Sequence, residues 1–189
     1  MKSNYRLMRR VAGHHDIRMD GLTDLVLRAR GASVLDIGCN RGLVGFEFAN
    51  NGAEIVHGCD NFEPGIATAR ELFADLRNVE SRFEVVDLTG GPPAFEVAFG
   101  AQKYDIVLLL ATYHKLKRAM APEALEALIG DFAERTGTYF AWRGTSDKRN
   151  ENWQEMKKLD DDLRAFSMKR IHTSELSNTL GLAAIWAKR

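Results

Sequence analysis

Four short stretches of this 189-residue chain carry the side chains able to do chemistry. The first is Asp36-Ile37-Gly38-Cys39-Asn40-Arg41-Gly42. Glycine at 38 and 42 lets the backbone turn tightly and come close to a ligand, and Asn40 is the non-glycine type that best tolerates a left-handed conformation. Asp60 stands 24 residues beyond Asp36, and a carboxylate there can accept hydrogen bonds from both ribose hydroxyls of a nucleoside. Asp87-Leu88 and Thr112-Tyr113-His114 are the third and fourth stretches. An imidazole titrates near neutrality, so His114 is the natural candidate for a base.

These stretches need elements to hold them. Ser33-Val-Leu-Asp-Ile-Gly38, Glu54 to Asp60, Arg82 to Leu88 and Tyr104 to Thr112 read as strands, each ending on one of the four stretches. The fourth is apolar nearly throughout, as a strand covered on both faces should be. Amphipathic helices fall between them. Leu22, Leu25, Val26 and Ala29 mark one, closed by Gly31. Gly42 to Asn50 is the next. Ile66, Ala69, Leu72, Phe73 and Leu76 mark a third, with Pro64 in its first turn. Gly90-Gly91-Pro92-Pro93 reads as a loop ahead of a short helix over 94–101. Pro122 opens a helix with Leu125, Leu128, Ile129 and Phe132 on one face, and Gly137 is expected to end it. Thr138 to Arg143 is a fifth strand, Glu151 to Phe166 a charged helix, and Met168–Thr173 and Leu182–Ala187 two closing strands. Strand and helix alternating in this way predicts an α/β fold: a doubly wound, mostly parallel seven-stranded sheet between two helical layers, with an antiparallel edge. Ligands bind such sheets beyond the carboxyl ends of the strands, at the switch point, which is where the four stretches fall.

Composition narrows the class. The chain is 45% hydrophobic and 28% charged, which excludes a disordered polymer, and two cysteines exclude a disulfide scaffold. Cys39 and Cys59 read as small buried residues in a reducing compartment. No run approaches the roughly 20 apolar residues of a membrane span, so a cytoplasmic chain of one domain, 1–189, is expected, with no membrane partner. The formal charge is zero, from 26 basic and 26 acidic side chains, but it is unevenly placed. Residues 1–30 carry +4, residues 31–114 carry −7, and residues 115–189 carry +3. An acidic middle suits a ligand with a cationic centre, and the basic flanks suit an anionic partner.

A dinucleotide site wants G-x-G-x-x-G, but here Gly38-x-Asn40-x-Gly42 is followed by Leu43, so the third glycine is missing. The stretch Val34-Leu-Asp-Ile-Gly-Cys-Asn-Arg-Gly42 instead resembles the first motif of the class I S-adenosylmethionine-dependent methyltransferases, with Asn40 where glycine is usual. Asp60 matches their acidic residue at the end of strand two, Asp87 the one after strand three, and Tyr104-Asp-Ile-Val-Leu-Leu-Leu their fourth-strand motif. The resemblance covers residues 31–145 well and implies the Rossmann-like methyltransferase fold, with S-adenosyl-L-methionine as cofactor. It implies that Gly38, Asn40 and Gly42 lie under the methionine part, that Asp36 braces the loop or meets the methionine amino end, and that Asp60 takes the ribose hydroxyls. Either Asn61 or Phe62 would lie along the adenine. Asp87 would accept from the adenine amino group, and Leu88 would offer a backbone amide. Thr112 falls on the cofactor side as well. Residues 1–30 would cover the cleft over a core of 31–189.

His114, just after strand four, is the expected base, and Tyr113 could share that role. Arg10, His14, Lys115 and Arg143 are expected to meet substrate, since basic residues cluster before the fold and after strands four and five. Adjacent histidines such as His14 and His15 do not easily point the same way, so no metal is expected. Ala111-Thr-Tyr-His stands where base-amino methylases carry Asn/Asp-Pro-Pro-aromatic, which disfavours that chemistry. The sequence therefore predicts methyl transfer to an oxygen or nitrogen of an anionic small molecule. RNA is the rival substrate, and a cofactor-binding subunit without turnover is the alternative of another class. Trp142 and Trp153 could stack on a ring. The oligomeric state has no sequence signal.

Overall fold

The computed structural model describes Met19 and residues 21–145, 149–174 and 181–189. Its strands are β1 (Ser33–Ile37), β2 (Ile55–Asp60), β3 (Glu80–Val85), β4 (Tyr104–Leu110), β5 (Thr136–Arg143), β6 (Met168–Thr173) and β7 (Ala183–Lys188). They form one seven-stranded sheet in the order β3-β2-β1-β4-β5-β7-β6. The first five are parallel neighbours, and β7 runs antiparallel to both β5 and β6. The expected parallel sheet with an antiparallel edge is what forms.

Alternation along the strands sends side chains to two cores. Val34, Val56, Ile106, Leu108 and Ile185 face α1 (Thr23–Val26), α2 (Leu43–Asn50) and α3 (Glu63–Phe73). Leu35, Ile37, Val107, Leu109, Phe140 and Trp142 face α4 (Pro92–Phe99), α5 (Tyr113–Ala119), α6 (Pro122–Arg135) and α7 (Arg149–Arg164). β4 contributes to both cores, and that double burial is why it reads as a continuous apolar run. Among the described residues no helix is long and apolar enough to cross a membrane.

Several boundaries differ from the sequence expectation. α1 has only four residues, because the chain after Val26 closes on i→i+3 bonds, from Arg28 N–H to Leu25 and from Ala29 N–H to Val26 (both 3.0 Å). Gly31, at φ 74°, ends the segment as expected. Pro92 and Pro93 belong to the first turn of α4 rather than to the loop before it. Gly137 does not stop α6. The Thr136 hydroxyl donates to the Phe132 carbonyl at 2.8 Å, and β5 starts at once. A β-carbon at 137 would lie 3.2 Å from the Tyr104 carbonyl oxygen, so glycine there serves the approach of β5 to β4. β3 begins two residues early and ends at Val85, leaving Asp87 outside it. α5 was not anticipated at all.

The two sheet edges are β3 and β6. β3 exposes Glu80, Ser81 and Arg82, and Glu84 is paired with Arg70 and Arg82, both at 3.0 Å. β6 exposes Lys169, Ile171 and His172, and its register with β7 breaks between Arg170 and His172. The chain runs outward through β1, β2 and β3, then returns to the other side of β1 as β4. The loops leaving β1 and β4 therefore lie side by side at the carboxyl end of the sheet.

Candidate active site at the carboxyl ends of the strands

The loop after β1 is shaped by backbone contacts. The Gly38 and Cys39 amides both donate to the Cys59 carbonyl, at 2.8 and 2.9 Å. Gly38, Asn40 and Gly42 sit at φ 76°, 50° and 71°, three left-handed steps within five residues. The Asn40 amide donates to Asp60 Oδ2 at 2.8 Å, and the Phe62 amide donates to Asp60 Oδ1 at 3.0 Å. One carboxylate thus ties the β1 loop to the start of α3. A β-carbon at Gly42 would lie 3.0 Å from that of Ala69, and one at Gly65 would lie 2.9 Å from the Asn40 carbonyl oxygen. These glycines let α3 press against the loop.

Asp36 is buried at the end of β1, on the face covered by α2, and one of its oxygens lies 3.8 Å from where a Gly45 β-carbon would be. Asp60 is half-buried, Asn61 is exposed, and Phe62 is 44% exposed. Val85, the register partner of Asp60, is 47% exposed. Asp87 caps a short 3₁₀ turn (Leu88–Gly90), accepting from the Thr89 amide at 3.0 Å and the Thr89 hydroxyl at 2.7 Å. Those bonds hold its carboxyl below the usual carboxylate range. Leu88 is buried beneath it. Burial pushes the Cys59 thiol up to about 12, and Cys39 is raised by burial and by Asp36 nearby, so neither is a ready nucleophile.

On the other side of the switch point, Ala111 takes a left-handed step at φ 53° and donates its amide to the Arg143 carbonyl at 2.8 Å. Thr112 follows, buried, its hydroxyl 3.1 Å from the Leu110 carbonyl and 3.5 Å from the Ile37 carbonyl. A β-carbon on Gly38 would overlap that hydroxyl, so the two loops meet with no space between them. α5 then starts, with half-buried His114 and exposed Lys115 in its first turn. Tyr113, expected to share the role of His114, is buried. Its ring is buried in a pocket of about 160 Å³ between α5, α6 and α7, lined also by Met120, Leu125 and Asp162. Burial, with Asp162, Glu155 and Glu126 around it, pushes its phenol above the ordinary range.

Arg143 ends β5 and is buried. Two further polar residues that the sequence reading missed, Asn152 and Glu155, are buried on α7. Asn152 donates to the Thr145 carbonyl at 2.7 Å, and a β-carbon at Gly144 would overlap its side-chain oxygen. The signal was present: 152 and 155 continue the stripe of Met156, Leu159 and Leu163, so two polar residues occupy an otherwise apolar face. Trp142 is core, whereas Trp153 is exposed on α7. Arg10, His14 and His15 lie outside the described residues. No group of three His, Cys, Asp or Glu among the described residues is placed to hold a metal ion.

Known proteins resemble this chain in sequence and fold. A family model described as a methyltransferase domain matches residues 35–130, just over half of the chain. A ubiquinone biosynthesis O-methyltransferase of Neisseria meningitidis serogroup C is 42% identical over an alignment of 71 residues that covers 34% of this chain and 28% of that protein. The match therefore spans little more than a quarter of that relative. Among solved structures, the magnesium protoporphyrin IX methyltransferase of Synechocystis, with bound S-adenosylmethionine, superposes with a TM-score of 0.65 at 18% identity, covering 100% of this chain and 86% of that one. A TehB-like methyltransferase from Corynebacterium glutamicum gives 0.63 at 17% identity, covering 98% and 97%. These two likenesses speak for the fold. With the matched model they make this chain a member of the class I S-adenosylmethionine-dependent methyltransferase family.

Proposed function

We propose that the chain transfers a methyl group from S-adenosyl-L-methionine to an oxygen or nitrogen of an anionic small molecule, with His114 as base. The observation that carries this reading is the meeting of two unlike loops at one switch point. The β1 loop presents left-handed backbone and the Asp60 carboxylate, and the β4 loop, tied at Ala111 to the end of β5 where Arg143 is buried, leads directly into His114.

The residues present fit this donor. Asp36, Asp60 and Asp87 give the pocket end a negative character suited to a sulfonium. Asp60 spends one acceptor site per oxygen on the backbone, and a carboxylate has about four, so it can still accept from the ribose hydroxyls. Phe62 and Val85 leave apolar surface in solvent near Asp60, a seat for a flat base bordered by Asn61, Asp87 and Leu88. Gly38, Asn40 and Gly42 would lie under the methionine part. The bound donor supplies a methyl on a cationic sulfur. The chain's own work is to align the acceptor, to remove its proton at His114 where one must leave, and to balance its charge with Arg143 and Lys115. Arg10 and His14, outside the described residues, would add basic charge on the substrate side. The buried Tyr113 supports α5 from behind.

Calorimetry tests the reading. S-adenosylhomocysteine should bind the wild-type chain, and Asp60→Ala should weaken it about 100-fold, which is about 2.7 kcal/mol. Absence of wild-type binding would sink the proposal. Acceptor affinity should change little between low and moderate salt, whereas RNA would give a steep decline.

A further inference from the structure

We infer that Thr112 is a positioning residue that couples the cofactor loop to the proposed base, so that filling one side of the switch point is felt at His114. The inference rests on the reading of His114 given above. It goes beyond that reading and replaces the expectation that Thr112 meets the cofactor: with its hydroxyl engaged by main chain and packed beside Gly38, Thr112 acts here through other residues rather than by touching the donor or the acceptor.

Three contacts meet at this residue. The Ala111 amide is held by the Arg143 carbonyl at 2.8 Å, which fixes where the chain leaves β4. That exit uses a left-handed alanine at φ 53°, a conformation costing about 1 kcal/mol or more for a residue with a β-carbon, and it is kept although glycine would relieve it. The strained step aims Thr112 at the sheet end. There its hydroxyl reaches the carbonyls of Leu110 and Ile37, the last residues of β4 and β1. The same side chain fills the place where a Gly38 side chain would be.

Gly38 in turn is pinned by its amide to Cys59, one residue before the carboxylate that holds Asn40. On the other side, Thr112 is the N-cap of α5, and His114 lies two residues on. A displacement of the β1 loop therefore has a rigid path to His114: Gly38, Thr112, then the first turn of α5. With no gap at the Gly38–Thr112 contact, a close-packed interface transmits a shift instead of absorbing it. The Thr112 hydroxyl serves both sides: it donates to the main-chain carbonyls at the sheet end, nearer to Leu110 than to Ile37, and it is the atom that fills the place beside Gly38. Serine keeps that hydroxyl, and valine replaces it with a methyl.

The test uses full-length protein with labelled histidine, the His114 ring resonance identified by its loss in His114→Gln. Wild-type protein saturated with S-adenosylhomocysteine should show that resonance displaced. Thr112→Val, which keeps the volume and removes the hydroxyl, should still bind within about fivefold of wild type and lose the displacement. Thr112→Ser, which keeps the hydroxyl, should retain it. A merely structural role would lower the melting temperature of both variants and leave the displacement intact. Equal displacement in Thr112→Val and wild type would overturn the inference. So would folded Thr112→Val that no longer binds, because Thr112 would then act on the cofactor directly. If Thr112→Val does not fold, Thr112→Ala removes the same hydroxyl and is read in the same way. Failure of wild-type protein to bind S-adenosylhomocysteine is a separate result, and it overturns the proposed function itself.

Discussion

The β1–β2 end of the site and the β5–α7 end are made of different material. At the first, shape comes from main chain: three left-handed residues, two amides on one carbonyl and two on one carboxylate. At the second, it comes from long polar side chains brought in by separate elements. Arg143 arrives on β5, Asn152 and Glu155 on α7, and His114 on α5. On the proposed function, the backbone half would hold the donor and the side-chain half the acceptor, so the second could be varied while the first is kept.

The largest break in this contrast should come from Gly38→Ala. The added methyl would overlap the Thr112 hydroxyl, and alanine would be held at φ 76°. We expect a loss of about 3 kcal/mol or more in chemical denaturation, together with loss of S-adenosylhomocysteine binding. Asn152→Ala probes the other half. It removes the donor to the Thr145 carbonyl and should cost about 1–3 kcal/mol, while calorimetry shows cofactor affinity unchanged. A parallel fall in affinity would mean that the two halves are not separable.

The smallest effect lies away from both ends. His57 is buried on β2, with Nδ1 2.9 Å from the Tyr104 hydroxyl, and burial pushes its pKa below the ordinary 6.5. Below that pH the unfolded chain takes up a proton that the folded chain refuses. This part of the stability is therefore intact above about pH 6.5 and declines as pH falls toward the lower folded value. Melting curves from pH 7 to 5 should show that decline, and His57→Gln should flatten it. No change in cofactor affinity is expected, since His57 is not at the carboxyl end of its strand.

The same division explains what could be read from the sequence. Backbone shape leaves compositional marks, because only glycine and a few others adopt φ near 70° without cost. Gly38, Asn40 and Gly42 were therefore visible, and Asp60 and Asp87 were visible as acids ending strands. The side-chain half leaves fewer: His114 and Arg143 stand out only by their places after strands, and a buried Asn152 and an exposed one are the same letter. The α7 stripe could have exposed it, but Glu151 to Phe166 is so charged that two more polar residues drew no notice. α5 carries little apolar periodicity, because Tyr113 and Leu116 are its only buried residues and Lys115, Lys117 and Arg118 face solvent. Gly137 misled because glycine ends helices often, yet here it makes room for a neighbouring strand.

The register break in β6 has a bearing on how the chain behaves in concentrated solution. A free sheet edge is a template for adding another strand. This one offers an interrupted hydrogen-bond ladder between Arg170 and His172, with Lys169 beside it, and the opposite edge at β3 offers Glu80 and Arg82. A second chain trying to extend the sheet would meet a mismatched ladder on one side and a row of solvated charges on the other. The fold thus carries its own guard against edge-to-edge aggregation, and smoothing the β6 break or neutralising Lys169 would weaken it.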